Sequence, residues 1–161
     1  MSVHSIDKAT LEDALLMANK MRKVDRDEVW ASSRSSPIES LVKSLKYSEQ
    51  ARTGRVNGEI VCMFGISRQN LMGMHGSIWL LATDLLEKNA IRFLREAKRE
   101  VMDLSENFII IENYCDARNK ITLRWLKWLG FTIEKAQPHG VYNLPFHHFY
   151  KERESCVNYL Q

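Results

Sequence analysis

Hydrophobic positions along this chain change period several times, and each change marks an element. Between Asn119 and Phe131, apolar groups recur at Thr122 (through its methyl), Trp125, Leu126 and Leu129, the three-and-four spacing of one helical face. Gly130 follows the last of them, where a left-handed residue closes a helix without a Cβ penalty. Phe131-Thr-Ile133 then restarts with strand formers. Before the helix, Asn107-Phe-Ile-Ile-Ile-Glu-Asn113 is an apolar, β-branched run short enough for a buried strand. Strand, short loop, amphipathic helix, glycine and strand make a βαβ unit, which implies a covered sheet rather than a bundle.

The remaining patterns predict elements on either side of that unit. Ser5 to Ala9 reads as a short edge strand, and Thr10-Leu-Glu-Asp13 as a capped helix start whose face is Leu11, Ala14, Leu15, Ala18 and Met21 or Arg22. Asp25 is a second N-cap candidate with Glu28 at N3, the charges solvated and Trp30 turned inward. Ser36-Pro-Ile-Glu39 combines a serine cap, proline at N1 and glutamate at N3 ahead of a stripe of Ile38, Leu41, Val42 and Leu45. Asn57-Gly58 between two strand-like runs predicts a two-residue type I′ hairpin, and Gly54 and Gly65 predict a bulge or a close backbone approach. Ser77 to Thr83 is a buried strand, preceded by a connector whose methionines are expected to fill core gaps. Asn89 to Leu104 is a long helix with Ile91 or Ala90, Leu94, Ala97, Val101 and Leu104 inward and a mixed-charge face outward, read as solvated pairing. Pro138 to Gly140 is a turn, and Pro145 to Tyr150 a last strand. His147 and His148 point to opposite faces of that strand, which argues against a two-histidine metal site.

Composition narrows the class. With 161 residues the chain is read as one domain, 1–161, able to bury a core. A net charge of +3 is too small to indicate nucleic acid. No apolar run reaches the length of a membrane span. Met1-Ser-Val-His-Ser-Ile-Asp7 lacks the basic-then-apolar order of a secretory signal, so the expectation is a protein that is not secreted. Cys62, Cys115 and Cys156 are unpatterned, which suits a reducing compartment and gives no zinc or disulfide framework.

Residues 119 to 131 resemble the pattern Asn-x-x-Ala-Ile-x-Leu-Tyr-x-Lys-Leu-Gly-Phe that closes the acetyl-CoA site of GNAT N-acetyltransferases. Asn119, Leu123 (for Ile), Leu129, Gly130 and Phe131 match in register. Thr122 stands where the family has Ala, and Leu126 where it has the Tyr that protonates the departing thiolate. The resemblance implies an α/β fold: a mixed, twisted sheet of six or seven strands with helices on both faces and a cleft where a parallel pair splays near Trp79 and Ile110. It also implies an acetyl-CoA site. Backbone at Leu81, Ala82 and Thr83 would polarise the thioester carbonyl, Lys88, Asn89 and Ala90 would lie at the phosphates, and Asn119 would close the site. Glu112 is the candidate base and Tyr114 the phenol that could replace the missing acid. Cys115 has no histidine placed beside it, which disfavours a thiol nucleophile. The family's phosphate loop carries glycines; Thr83-Asp-Leu-Leu-Glu-Lys-Asn-Ala-Ile91 has none, and Asp84 and Glu87 add negative charge. Acetyl-CoA is therefore expected to bind weakly or not at all.

Asn113-Tyr-Cys-Asp-Ala-Arg-Asn119, Arg124 to Phe131 and Pro145-Phe-His-His-Phe149 look like a narrower group. They are similar to the phage GNAT-like proteins typified by an internal virion protein of T7-type podoviruses. That resemblance implies a virion or host-interaction protein with a degenerate acyl-CoA site, located in the host cytoplasm or the virion, with virion or host proteins as partners. The alternative is a working acetyl-CoA-dependent N-acetyltransferase acting on an amine.

Overall fold

The structure is a computed structural model that describes residues 4–154. Eight strands form one sheet in the order β1-β2-β3-β4-β5-β8-β6, with β7 also paired to β8. They are β1 (His4–Lys8), β2 (Ser48–Val56), β3 (Glu59–Arg68), β4 (His75–Ala82), β5 (Ile110–Asp116), β6 (Thr132–Ile133), β7 (Gln137–His139) and β8 (Leu144–Glu152). Six helices cover it: α1 (Leu11–Ala18), α2 (Lys23–Ser33), α3 (Pro37–Tyr47), α4 (Leu85–Lys88), α5 (Ala90–Leu104) and α6 (Lys120–Trp128). Strand periodicity separates two cores. Cys62, Phe64 and Ile66 of β3 face the core shared with Leu86, Phe93 and Leu126. Met63, between them, faces Ala14, Met17 and Leu41 on the other side. Helices therefore lie on both faces.

The local devices act as their residue types dictate. Thr10 with Asp13, and Ser36 with Glu39, form reciprocal capping boxes, and Pro37 occupies the first turn of α3. Asn57 and Gly58 turn the β2–β3 hairpin at φ 50° and 82°, as a type I′ turn requires. At Gly54 the register slips and a Cβ would lie 2.8 Å from the Phe93 ring. Gly130 sits at φ 89° after α6.

Several expectations move. The inward face of α1 is Ala14 and Met17, while Leu11, Leu15 and Leu16 are exposed. On α5, Ile91 is 75% exposed and Phe93 is buried instead. On α6 the buried residue is Leu126, with Trp125 and Leu129 half-buried beside it. Leu71 and Met72 stand on the β3–β4 connector at 99% and 97% exposure, so they fill no core gap. Residues 137–139 form a strand, and the turn comes after them, closing at Asn143 N–H to Gly140 O (3.3 Å). Asp25 is not a cap: α2 begins at Lys23 with Arg22 in the cap position, and Trp30 is 49% exposed while Asp25 is buried. Cys156 lies outside the described residues.

Candidate active site

Among the described residues β4 and β5 are the one parallel pair, and they pair only at His75–Ile110, Gly76–Ile111 and Ser77–Glu112. Beyond that point the strands part. The Asn113 amide spans the start of the gap, donating from Nδ2 to Ile78 O at 2.6 Å. A cavity of about 320 Å³ passes through the opening. Toward α5 and α6 its wall is mainly apolar, built from Leu94, Ala97, Val101, Trp125 and Leu129, with Glu96 and Glu100 of α5 also bordering it. Toward α2 and α3 it is polar, with Ser32, Ser40, Ser44, Tyr114 and Glu28.

The far end of β4 is held by the segment that leads into α2. Met21 bridges Thr83, Arg22 N–H donates to Ala82 O (2.8 Å), and Ala82 N–H donates to Asp25 Oδ2 (2.8 Å). Thr83 N–H is taken by Val61 O (2.9 Å), and its hydroxyl donates to Ile60 O (3.0 Å). The register places Leu81 against Met63. So two of the amides named as carbonyl donors are already engaged, one of them by a carboxylate.

Arg22, with a side chain only 2% exposed, forks onto Asp25 through Nε (2.8 Å) and Nη2 (3.1 Å), and Nη2 also donates to Thr122 Oγ1 (3.0 Å). Its Nη1 has no hydrogen-bond partner and lies 3.8 Å from Glu87 Oε1. Burial pushes the Asp25 carboxyl up against the opposing pull of Arg22. Three residues on, Glu28 accepts from Asn119 Nδ2 (3.1 Å). Burial is the largest influence on it; bonds from the Asn119 amide and the Asp116 backbone N–H pull the other way, the Asp25 and Asp116 charges push further, and its pKa rises to about 7.

Of the residues named from sequence, Tyr114 lies in the cavity wall, stacked on His139 at 3.8 Å between centroids. Glu112 lies outside that wall, in a surface cluster with His148 Nε2 (2.7 Å) and His75 Nδ1 (3.4 Å). Burial pushes Glu112 up, but bonds from His148 and His75 outweigh it and hold the carboxyl below its usual range. Asn119 caps α6, accepting from Thr122 N–H (3.3 Å). Asn89 precedes α5 and turns its amide onto Leu85 O (2.9 Å), and Ala90 borders the cavity. Lys88 ends α4, and the loop that should cradle phosphate is a helical turn, with Leu86 N–H on Thr83 O and Asn89 N–H on Leu86 O. Cys115 is buried and its thiol is pushed up by burial, which leaves no thiolate to attack. Among the described residues no group of three or more His, Cys, Asp or Glu could hold a metal.

Glu28, Asp25 and Arg22 were not named as site residues from sequence. Their signal was the run Asp25-Arg-Asp-Glu28, which matches a solvated helix start equally well.

No protein-family model matches the chain, and no curated protein matches it. Solved structures do match. A putative acetyltransferase from Salmonella typhimurium with its cofactor acetyl-CoA superposes at TM-score 0.71, with 12% identity over 96% of each chain. Spermidine N-acetyltransferase from Vibrio cholerae in complex with CoA and spermine gives 0.66, with 13% identity over 92% of this chain and 95% of that one. Ribosomal-protein-S5-alanine acetyltransferase from Vibrio fischeri gives 0.64, with 16% identity over 96% and 98%. The fold is that of the GNAT acetyltransferases. At these identities the likeness defines the architecture, and activity has to be argued from the site.

Proposed function

We propose that this chain is an acetyl-CoA-dependent N-acetyltransferase acting on an amine. The observation that carries the reading is the gap between β4 and β5, whose cavity is lined from both sides, mainly apolar toward α5 and α6 and polar toward α2 and α3. Transfer between two molecules needs both to reach one point from different sides, and this gap provides that. Acyl-CoA supplies an activated acyl group as a thioester. The apolar walls on α5 and α6 fit its aliphatic arm, Lys88 is the base at the phosphate end, and Tyr114 is the phenol positioned to return a proton to a departing thiolate. The helical turn of α4 offers side chains rather than glycine backbone to the phosphates. Isothermal titration of acetyl-CoA, followed by mass-spectrometric detection of acetylated amines, tests the reading; saturable one-to-one binding and a mass gain on an amine are expected.

A second reading is favoured by one contact. Asp25 holds the Ala82 amide, and Asp84 and Glu87 stand where an anion would approach. In that reading the chain is a non-catalytic phage protein, acting in the virion or in the host cytoplasm on a virion or host partner. Absence of binding up to roughly a millimolar, about −4 kcal/mol, moves it to first place.

A further inference from the structure

Glu28 is a half-buried, desolvated carboxylate on the wall of a cavity, and no Lys, Arg or His makes a direct ion pair with it among the described residues. Its hydrogen-bond donors are neutral, the Asn119 side-chain amide at 3.1 Å and the backbone N–H of Asp116. The charged groups around it are otherwise committed. Arg22 is forked onto Asp25, and Arg118 grips Asp116 through Nε (3.0 and 3.1 Å) and Nη2 (2.6 Å). Asp25 from its own helix and Asp116 from the end of β5 add negative charge toward it, and the neighbouring Cys115 adds no cation.

Two hydroxyls of the same mouth turn their protons onto backbone carbonyls. Ser33 donates to Val29 O (3.2 Å) and Ser40 to Pro37 O (2.8 Å), so lone pairs are what each has left to offer a ligand. Among the described residues Lys43 is the one Lys or Arg in the cavity wall, against Glu28, Glu96 and Glu100. A buried carboxylate without a cation is held at a cost, and a ligand bearing the missing charge relieves it.

We propose that the α2–α3 mouth of the cavity binds an alkylammonium ion that carries no carboxylate, with Glu28 as its counter-charge and serine oxygens as further acceptors. A carboxylate beside the amine would meet Glu28, Asp25 and Asp116, so free α-amino acids are excluded. The site takes its place in a reaction from the acyltransferase reading, but the binding itself needs no acyl donor.

The test is calorimetric titration of the full chain with three matched probes: n-pentylamine, n-pentanol and norleucine, which is the same amine with a carboxylate on its first carbon. At about pH 8 the amine is expected to bind at least roughly tenfold more tightly than either, the difference a charge-assisted hydrogen bond makes. Glu28→Gln, which keeps the oxygen that Asn119 donates to, is expected to reduce the amine to the level of the alcohol while melting cooperatively. At about pH 5.5 the wild type is expected to lose the preference as Glu28 takes a proton, an arm that needs no variant. Norleucine binding as tightly as the amine, a Glu28→Gln protein that keeps full amine affinity, or a preference unchanged with pH would each overturn the proposal. Amine binding without any acyl transfer leaves this site standing and removes the acyltransferase reading instead.

Discussion

Asp25 and Glu28 lie three residues apart on one helix, the first buried and the second half-buried with its carboxyl desolvated, and they are held in different ways. Asp25 has a guanidinium fork, a backbone N–H from Ala82 and a place in the closure of β4. Glu28 has two neutral N–H donors, from Asn119 and the Asp116 backbone, no guanidinium, and a cavity in front of it. A satisfied buried charge is part of the frame, because removing its partner leaves a cost with nothing to offset it. A buried charge short of a partner is a liability in the empty protein, and proteins keep such liabilities where a ligand supplies the partner.

The largest expected effect breaks the paired side. Arg22→Ala strips Asp25 of its counter-charge while leaving it buried, and should destabilise the fold by about 3–5 kcal/mol. Urea unfolding at neutral pH checks this. An Arg22→Ala protein within 1 kcal/mol or so of wild type would mean that Asp25 is neutral or hydrated in the folded chain, and the contrast with Glu28 would vanish.

A smaller effect of opposite sign is expected on the unpaired side. The folded pKa of Glu28, about 7, is above its ordinary 4.5, so the folded protein holds a proton there that the unfolded chain has released. That contribution is fully present below about pH 4.5 and is lost as pH rises through about 7. Wild-type stability should therefore fall across this window relative to Glu28→Gln, by at most roughly 3 kcal/mol. Glu28 keeps an opening onto the cavity, and solvent there trims the figure. Parallel melting curves of the two proteins from about pH 4 to 8 measure the difference directly. Curves that stay parallel would show that Glu28 titrates normally, and a destabilised Glu28→Gln at high pH would show that the carboxylate has a partner.

The same contrast explains what could be seen in the sequence. The Thr10 and Ser36 capping boxes, the Asn57-Gly58 hairpin, Gly54 and Gly130 are local, each fixed by the chemistry of a few adjacent residues, and appear where the pattern put them. The strand expected at Asn107 to Asn113 runs three residues later, Ile110–Asp116. The parting of β4 and β5 followed from the resemblance carried by residues 119 to 131. The α6 face falls on Trp125, Leu126 and Leu129 as expected. The inward faces of α1 and α5 were off by a residue or so, because a stripe at three-and-four spacing leaves its centre undetermined when several apolar neighbours compete, as with Ile91 and Phe93. Asp25 and Glu28 were illegible for a different reason. Their partners are Arg22 and the distant Ala82 and Asn119, and no local rule separates a helix start facing water from one facing a cleft. Tyr114 was named as a phenol near the strand end, but its ring contact with His139 depends on β7, which had been taken for a turn.

The smallest expected effect isolates one bond of the paired side. Thr122 occupies a family alanine position and accepts from Arg22 Nη2 at 3.0 Å, which ties α6 to the start of α2. Thr122→Val keeps the branched shape and removes the acceptor. Nη2 still reaches Asp25, so the guanidinium is not left bare, and the expected loss is about 1 kcal/mol rather than the several that follow from removing a charge. Since Asn119 accepts from the backbone N–H of Thr122, the cap and its bond to Glu28 survive the substitution. Amine affinity in calorimetry should then match the wild type while the urea midpoint drops slightly. A Thr122→Val protein that loses amine binding along with stability would show that Arg22 and Glu28 belong to one network, and the division between a framing charge and a waiting one would have to be redrawn.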